Sequence, residues 1–145
     1  MSFNTLAVAN QLVAMLEGLT GIGTVQKGAP VDVPTRVSAY VTMGSQPQTR
    51  KHAGSVERWP HYFVNFAYRV EKGGEAAAEE ALMALVDGFQ AALYADLTLG
   101  GTCLDLEVDT GLADEPEYQL RTGKEYREYP IVVKAKQTGS YTVNP

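Results

Sequence analysis

Six carboxylates, Asp105, Glu107, Asp109, Asp114, Glu115 and Glu117, fall within thirteen residues. Clustered carboxylates suit a hard cation such as calcium, which is bound through oxygen. This run lacks the ligand spacing and the central glycine of an EF-hand loop. A solvent-facing strand paired with Lys134 and Lys136 explains it with fewer assumptions. The histidines are His52 and His61. A zinc site or a nucleophilic triad needs a partner His, Cys or acid in a fixed arrangement, and no such spacing is present. His52 belongs to a charged loop and His61 opens a strand, so both read as structural. The lone Cys103 excludes an internal disulfide framework and a cysteine-only zinc site, and reads as a small buried hydrophobe on a strand. The glycines at 21–23, 73–74 and 100–101 are followed by neither the Lys-Ser/Thr of a P-loop nor a dinucleotide fingerprint, and they read as turns. The expectation is therefore no catalytic, metal-binding or cofactor-binding residue, no cofactor, and no enzyme.

Charge along the chain is more informative. The formal net charge is −5, but residues 27–72 sum to +4, residues 73–117 to −11 with no Lys or Arg, and residues 118–145 to +3. Solvated faces and cross-strand pairs account for such a pattern within one domain. It equally suits a molecule with oppositely charged sides that contacts its own copies head to tail. The acidic total, and the lack of a basic stripe interleaved with aromatics, speak against general nucleic-acid binding. Eight tyrosines are many for this size; Tyr118, Tyr126 and Tyr129 suit sheet packing or an amphipathic interface alike.

The elements that must position these residues are legible in part. At 145 residues the chain is expected to form one domain, 1–145, with 138–145 as a polar tail. No apolar run is long enough to span a membrane and the start lacks the basic residues of a signal peptide, which points to folding in a cytoplasm without a membrane partner. After a cap at Asn4, Leu6, Ala9, Leu12, Val13 and Leu16 mark one face of a helix over 5–16. A short strand follows at 22–26, then an extended proline-containing segment. Residues 36–43 alternate, with Val37, Ala39, Val41 and Met43 inward and Arg36, Ser38, Tyr40 and Thr42 outward. Residues 44–58 read as a long polar hairpin loop, and Pro60 breaks the ladder before the aromatic strand His61–Val70. Ala78, Leu82, Leu85, Val86, Phe89 and Leu93 repeat at helical spacing over 75–94. Strands at 103–109 and 126–137 close the chain, with a shorter one near 118–120. The fold class is α+β: a mainly antiparallel sheet with both helices on one face, in the order α-β-β-β-α-β-β. Leu12, Val13, Leu82, Leu85 and Phe89 are expected in the core.

This order, carried by VNFAYRVEKGGEAAAEEALMALVDGFQAAL, LDLEVDTG and YREYPIVVKAKQ, resembles the tail terminator (tail completion) proteins of long-tailed bacteriophages. The resemblance spans nearly the whole chain and rests on element type and length, without a sharp motif. It implies a non-enzymatic structural protein of the virion that assembles as a homo-oligomeric ring, usually a hexamer. Such a ring caps the tail tube, stops its polymerisation and joins it to the head connector in the tail–neck region, after synthesis in the host cytoplasm. Its partners are further copies, the tail tube protein and the head–tail connector, and DNA passes through the lumen without specific binding. Other phage neck proteins look similar at this level, and a small ligand-binding or enzymatic α+β domain is the reading from a different class. Arg50, Lys51 and Arg58 in or beside the basic loop, and Asp105, Glu107 and Asp109 on the acidic strand, are the candidate assembly residues.

Overall fold

In the computed structural model, which describes residues 3–121 and 123–141, Asn4 caps the first helix by accepting from the Ala7 amide at 3.2 Å. Helix α1 (Thr5–Glu17) is followed by β1 (Val25–Lys27), β2 (Ser38–Met43), β3 (Gln48–His52), β4 (Ser55–Arg58) and β5 (His61–Arg69). Helix α2 (Glu75–Ala95), β6 (Asp105–Asp109), a 3-10 turn at Gly111–Ala113, β7 (Glu117–Arg121) and β8 (Lys124–Ser140) complete the chain. The α+β class stands, but the order carries more strands than expected: five precede α2 and three follow it.

The spine of the sheet is β8. It pairs antiparallel with β5 over residues 126–134 and with β4 over 137–140. Along its other side run β7, at 124–128, and β6, at 132–136. β2 adds outside β5, and β1 lies parallel to β2, the one parallel pair among the described residues. A parallel neighbour needs a crossover connection; here it is the irregular stretch 28–37.

One face of this sheet carries the core. Tyr62, Val64, Phe66 and Tyr68 of β5 meet Ile131, Val133 and Ala135 of β8, and both helices lay Leu12, Leu16, Leu82, Leu85, Phe89 and Leu93 onto them. Phe66 and Phe89 pack edge to face, centroids 5.8 Å apart. The α1 stripe is turned slightly from its expected position. Val8 is fully buried, Val13 only partly, and Leu6 is 61% exposed. Met43, expected inward, is also exposed and borders an open groove with Leu6 and Ala9 of α1.

The opposite face has its own small core of Val33, Tyr40, Ala67 and Tyr126. Ser38 and Tyr40, expected outward, are buried because the 28–37 crossover folds back over this face and delivers Val33 onto it. Tyr126 donates to Asp32 Oδ1 at 2.6 Å, and Lys124 reaches the other carboxylate oxygen at 3.4 Å. The Tyr126 hydrogen bond, chiefly, holds the Asp32 pKa below its ordinary value.

Two expectations about loose chain need correction. Residues 44–58 are not a loop: β3 and β4 form a hairpin closed at Gly54, whose φ of +84° few other residues adopt. The 44–47 connection stays in the ladder through Gly44 N–H to His61 O, His61 N–H to Ser45 O and Trp59 N–H to Pro47 O, at 2.7–2.9 Å. Likewise Thr138, Gly139 and Ser140, expected in a polar tail, are strand residues opposite Glu57, Val56 and Ser55. Main-chain bonding to β4 replaces the apolar anchor that the tail sequence lacks. The rest of that tail, 142–145, lies outside the described residues.

Candidate assembly surfaces

The hairpin and the end of β8 together make a three-stranded arm that continues the sheet past the core. All five residues of β3 are exposed, so no layer covers either of its faces. β3 is also an edge strand, pairing only with β4 among the described residues. Its exposed row of main-chain donors and acceptors is the kind of template that another strand can extend.

The six candidate assembly residues separate into different environments. Arg50 is exposed on β3 and makes no ion pair with a described residue. Lys51, also exposed, lies 3.9 Å from Glu57 Oε2. Glu57 is shared: Lys136 approaches the same oxygen at 3.8 Å and Trp59 Nε1 donates to Oε1 at 3.2 Å.

Arg58, expected beside an exposed loop, is instead an interior residue of the chain. It is 6% exposed. Its guanidinium donates to Gln137 Oε1, to Gln46 Oε1 at 2.9 Å and to Thr5 Oγ1 at 2.8 Å, with Phe3 stacked 3.9 Å away. Burial lowers its pKa, yet an arginine so placed keeps its charge. Its position at the root of the arm, facing the start of α1, satisfies all of its donor nitrogens locally.

Asp105, Glu107 and Asp109 alternate outward on β6, the edge strand on the other side of β8, with Leu106 buried between them. Lys136 stands opposite Asp105 and Lys134 opposite Glu107, as the pairing of acidic and basic strands predicts. The closest charge contact is the diagonal one, Lys134 to Asp109 at 4.0 Å. At that distance and exposure these pairs contribute little to stability, and they leave the edge acidic. Asp114, Glu115 and Glu117 line an open groove with Phe63, Leu112 and Pro130, into which no basic side chain projects among the described residues.

Two polar groupings lay hidden from sequence reasoning. Under the first turns of α2, Arg127 Nε donates to Glu79 Oε1 at 2.9 Å and Tyr68 Oη donates to the same oxygen at 2.7 Å. Burial, first, and the Glu79 carboxylate push the Tyr68 pKa well up. On the surface, Ser45 Oγ and His61 Nδ1 lie 3.2 Å apart. A triad base needs an acid on its far nitrogen; the strand neighbour of His61 is Lys134. Burial and Lys134 together lower the His61 pKa. Neither grouping has a sequence signature, since the partners come from separate elements.

The same inner face that holds the core is uncovered at both lateral margins. Leu6 and Met43 border an apolar groove of about 320 Å³ beside β2. Tyr118 and Leu120 of β7 stand exposed at the far side. No helix is long and apolar enough to cross a membrane, and no three His, Cys, Asp or Glu residues are grouped to hold a metal ion, among the described residues. Fold and surfaces together define an α+β chain with a projecting sheet arm and two dissimilar sheet edges. No protein-family model matches the chain, and no curated protein sequence matches it.

Proposed function

We propose that the protein is a structural subunit of a long-tailed bacteriophage that assembles as a ring, caps the tail tube, stops its polymerisation and joins it to the head connector. The observation that carries this reading is the arm. A strand exposed on both faces, held at its root by a buried arginine, contributes nothing to the subunit's own core and is well placed to meet another chain. The opposite charges of the two sheet edges support a head-to-tail contact, which closes into a ring when the rotation between neighbours permits. An acidic molecule also suits a conduit that must release DNA. In this role it is made in the host cytoplasm, resides at the tail–neck junction and partners the tube and connector proteins.

The test is to add the purified protein to a polymerising tail tube. Termination of growth with a ring at the tube end, seen by negative-stain electron microscopy, supports the reading; tubes that lengthen as before refute it. Binding to the connector with no effect on tube growth favours a different neck protein.

A further inference from the structure

We infer that copies of this chain join through unlike sheet margins, β3 and the Leu6–Met43 groove of one against β6 and the Tyr118–Leu120 surface of the next, with a fixed stagger. This rests on the ring reading and specifies its junction. β8 serves as a ruler, since every strand of both margins can be referred to it. On one side, β3 is level with β8 residues 137–140 through β4, and Met43 is level with Val133 through Tyr62. On the other side, β6 is level with residues 132–136 and Tyr118 with Arg127. A single slide of six residues, roughly 20 Å along the strands, brings Met43 level with Tyr118 and lays basic β3 beside Glu107 and Asp109 of acidic β6.

The faces agree as well. Asp105 and Glu107 share the outer face with their β8 partners Lys136 and Lys134, and Lys51 lies on that face beside Glu57, while Arg50, opposite Val56, stands on the helix-bearing face. Leu6, Met43, Tyr118 and Leu120 all stand at the helix-bearing face, where each is at least half exposed. Rotation about a ring axis preserves both faces, whereas a two-fold axis would set like edges together, basic on basic. A stagger of this kind is also what closing a tilted sheet into a barrel demands. Unpaired main-chain groups on β3 and β6 supply hydrogen bonds, the apolar margins supply buried area, and the charges select unlike edges.

The test uses two double variants, each altered only at exposed positions. One blocks the first margin (Leu6→Asp with Met43→Asp) and the other blocks the second (Tyr118→Asp with Leu120→Asp). Sedimentation and thermal unfolding are measured on each, on the wild type and on an equimolar mixture. The expected result is that the wild type assembles, each variant alone is monomeric up to roughly tenfold higher concentration or more, and the mixture stops at a heterodimer, which has one intact junction. If either double variant loses the wild-type unfolding transition, the milder Met43→Ser and Leu120→Ser replace it in the same design. Self-assembly of either folded variant like the wild type, a mixture that gives no heterodimer, or a wild type that remains monomeric would overturn the junction. Its failure is separable from that of the tail reading. Rings that cap tubes although the variants still assemble remove only this junction, and rings that obey the mixing rule but leave tube growth unchanged remove only the tail role.

Discussion

Arg58 and Gln137 stand directly opposite each other between β4 and β8, and the guanidinium donates from both Nε and Nη2 to one oxygen, Gln137 Oε1, at 3.2 and 2.9 Å. Gln137 in turn donates from Nε2 to Thr102 O at 3.3 Å and Asn4 O at 3.5 Å. The root of the arm, the start of α1 and the turn before β6 are therefore tied at one point. Arg58→Ala removes the charge and leaves Gln137, Gln46 and Thr5 short of a donor. The expected loss is about 2–3 kcal/mol of unfolding free energy in a urea titration, while Arg50→Ala changes it by less than about 0.5 kcal/mol. Equal effects of the two substitutions would contradict the interior placement of Arg58.

The apolar stripe of α2 gives a second expectation. Leu85 and Phe89 are buried against β5, so truncating either to Ala leaves a cavity and costs roughly 2–5 kcal/mol. Val13→Ala, at a partly buried position, costs about 1 kcal/mol or less. Denaturant midpoints of the three variants measure this ordering, and a Val13 variant as damaged as Phe89→Ala would place the α1 stripe differently.

These two cases show what was legible in the sequence. β5 and α2 each bury one face along their length, so their periods of two and 3.6 were visible in the residue pattern. The arm was not, because β3 buries neither face and its order comes from main-chain bonds that any sequence can make. Arg58 read as a loop charge because its partner Gln137 lies 79 positions away in the chain. Ser38 and Tyr40 misled for a related reason: alternation identifies two faces, but it does not reveal that a crossover will cover the second one.

Cys103 is buried, donates weakly to Leu97 O, and has its pKa raised by burial to about 11. The thiolate is the reactive form. At pH 8 the native protein should alkylate with iodoacetamide far more slowly than the urea-unfolded chain, as followed by intact mass. Fast labelling of the folded protein would mean that the 99–104 turns open readily.

His61 supplies a pH dependence whose sign follows from its lowered pKa. Between the unfolded value near 6.5 and the lower folded value, the unfolded chain binds more protons, so stability falls as pH drops through that window. The contribution is fully present above the unfolded pKa. His61→Gln should therefore flatten the decline in melting temperature between pH 7 and pH 5 relative to the wild type. A parallel decline in both proteins would show that other groups set it.

The remaining prediction concerns the basic edge. Arg50 has no ion-pair partner among the described residues, and Lys51 shares Glu57 with Lys136, so reversing both charges disturbs little inside the subunit. In the proposed junction the Lys51 reversal places acid on the face that carries Glu107 and Asp109, the Arg50 reversal adds acid to the same edge from the other face, and like charges in apposition weaken association. Arg50→Glu with Lys51→Glu should therefore lower ring formation and tube capping while the monomer's thermal midpoint stays nearly constant. Salt should discriminate as well. Wild-type assembly should weaken as ionic strength rises, because exposed pairs are screened, and the reversed variant should recover partly under the same conditions, because repulsion is screened too. Glu107→Lys, at an exposed position with no ion pair to a described residue, should restore part of the lost assembly at low salt. Particle mass, tube capping and thermal unfolding measured on the same preparations decide the matter. Normal rings from the double reversal at low salt would show that β3 takes no part in assembly.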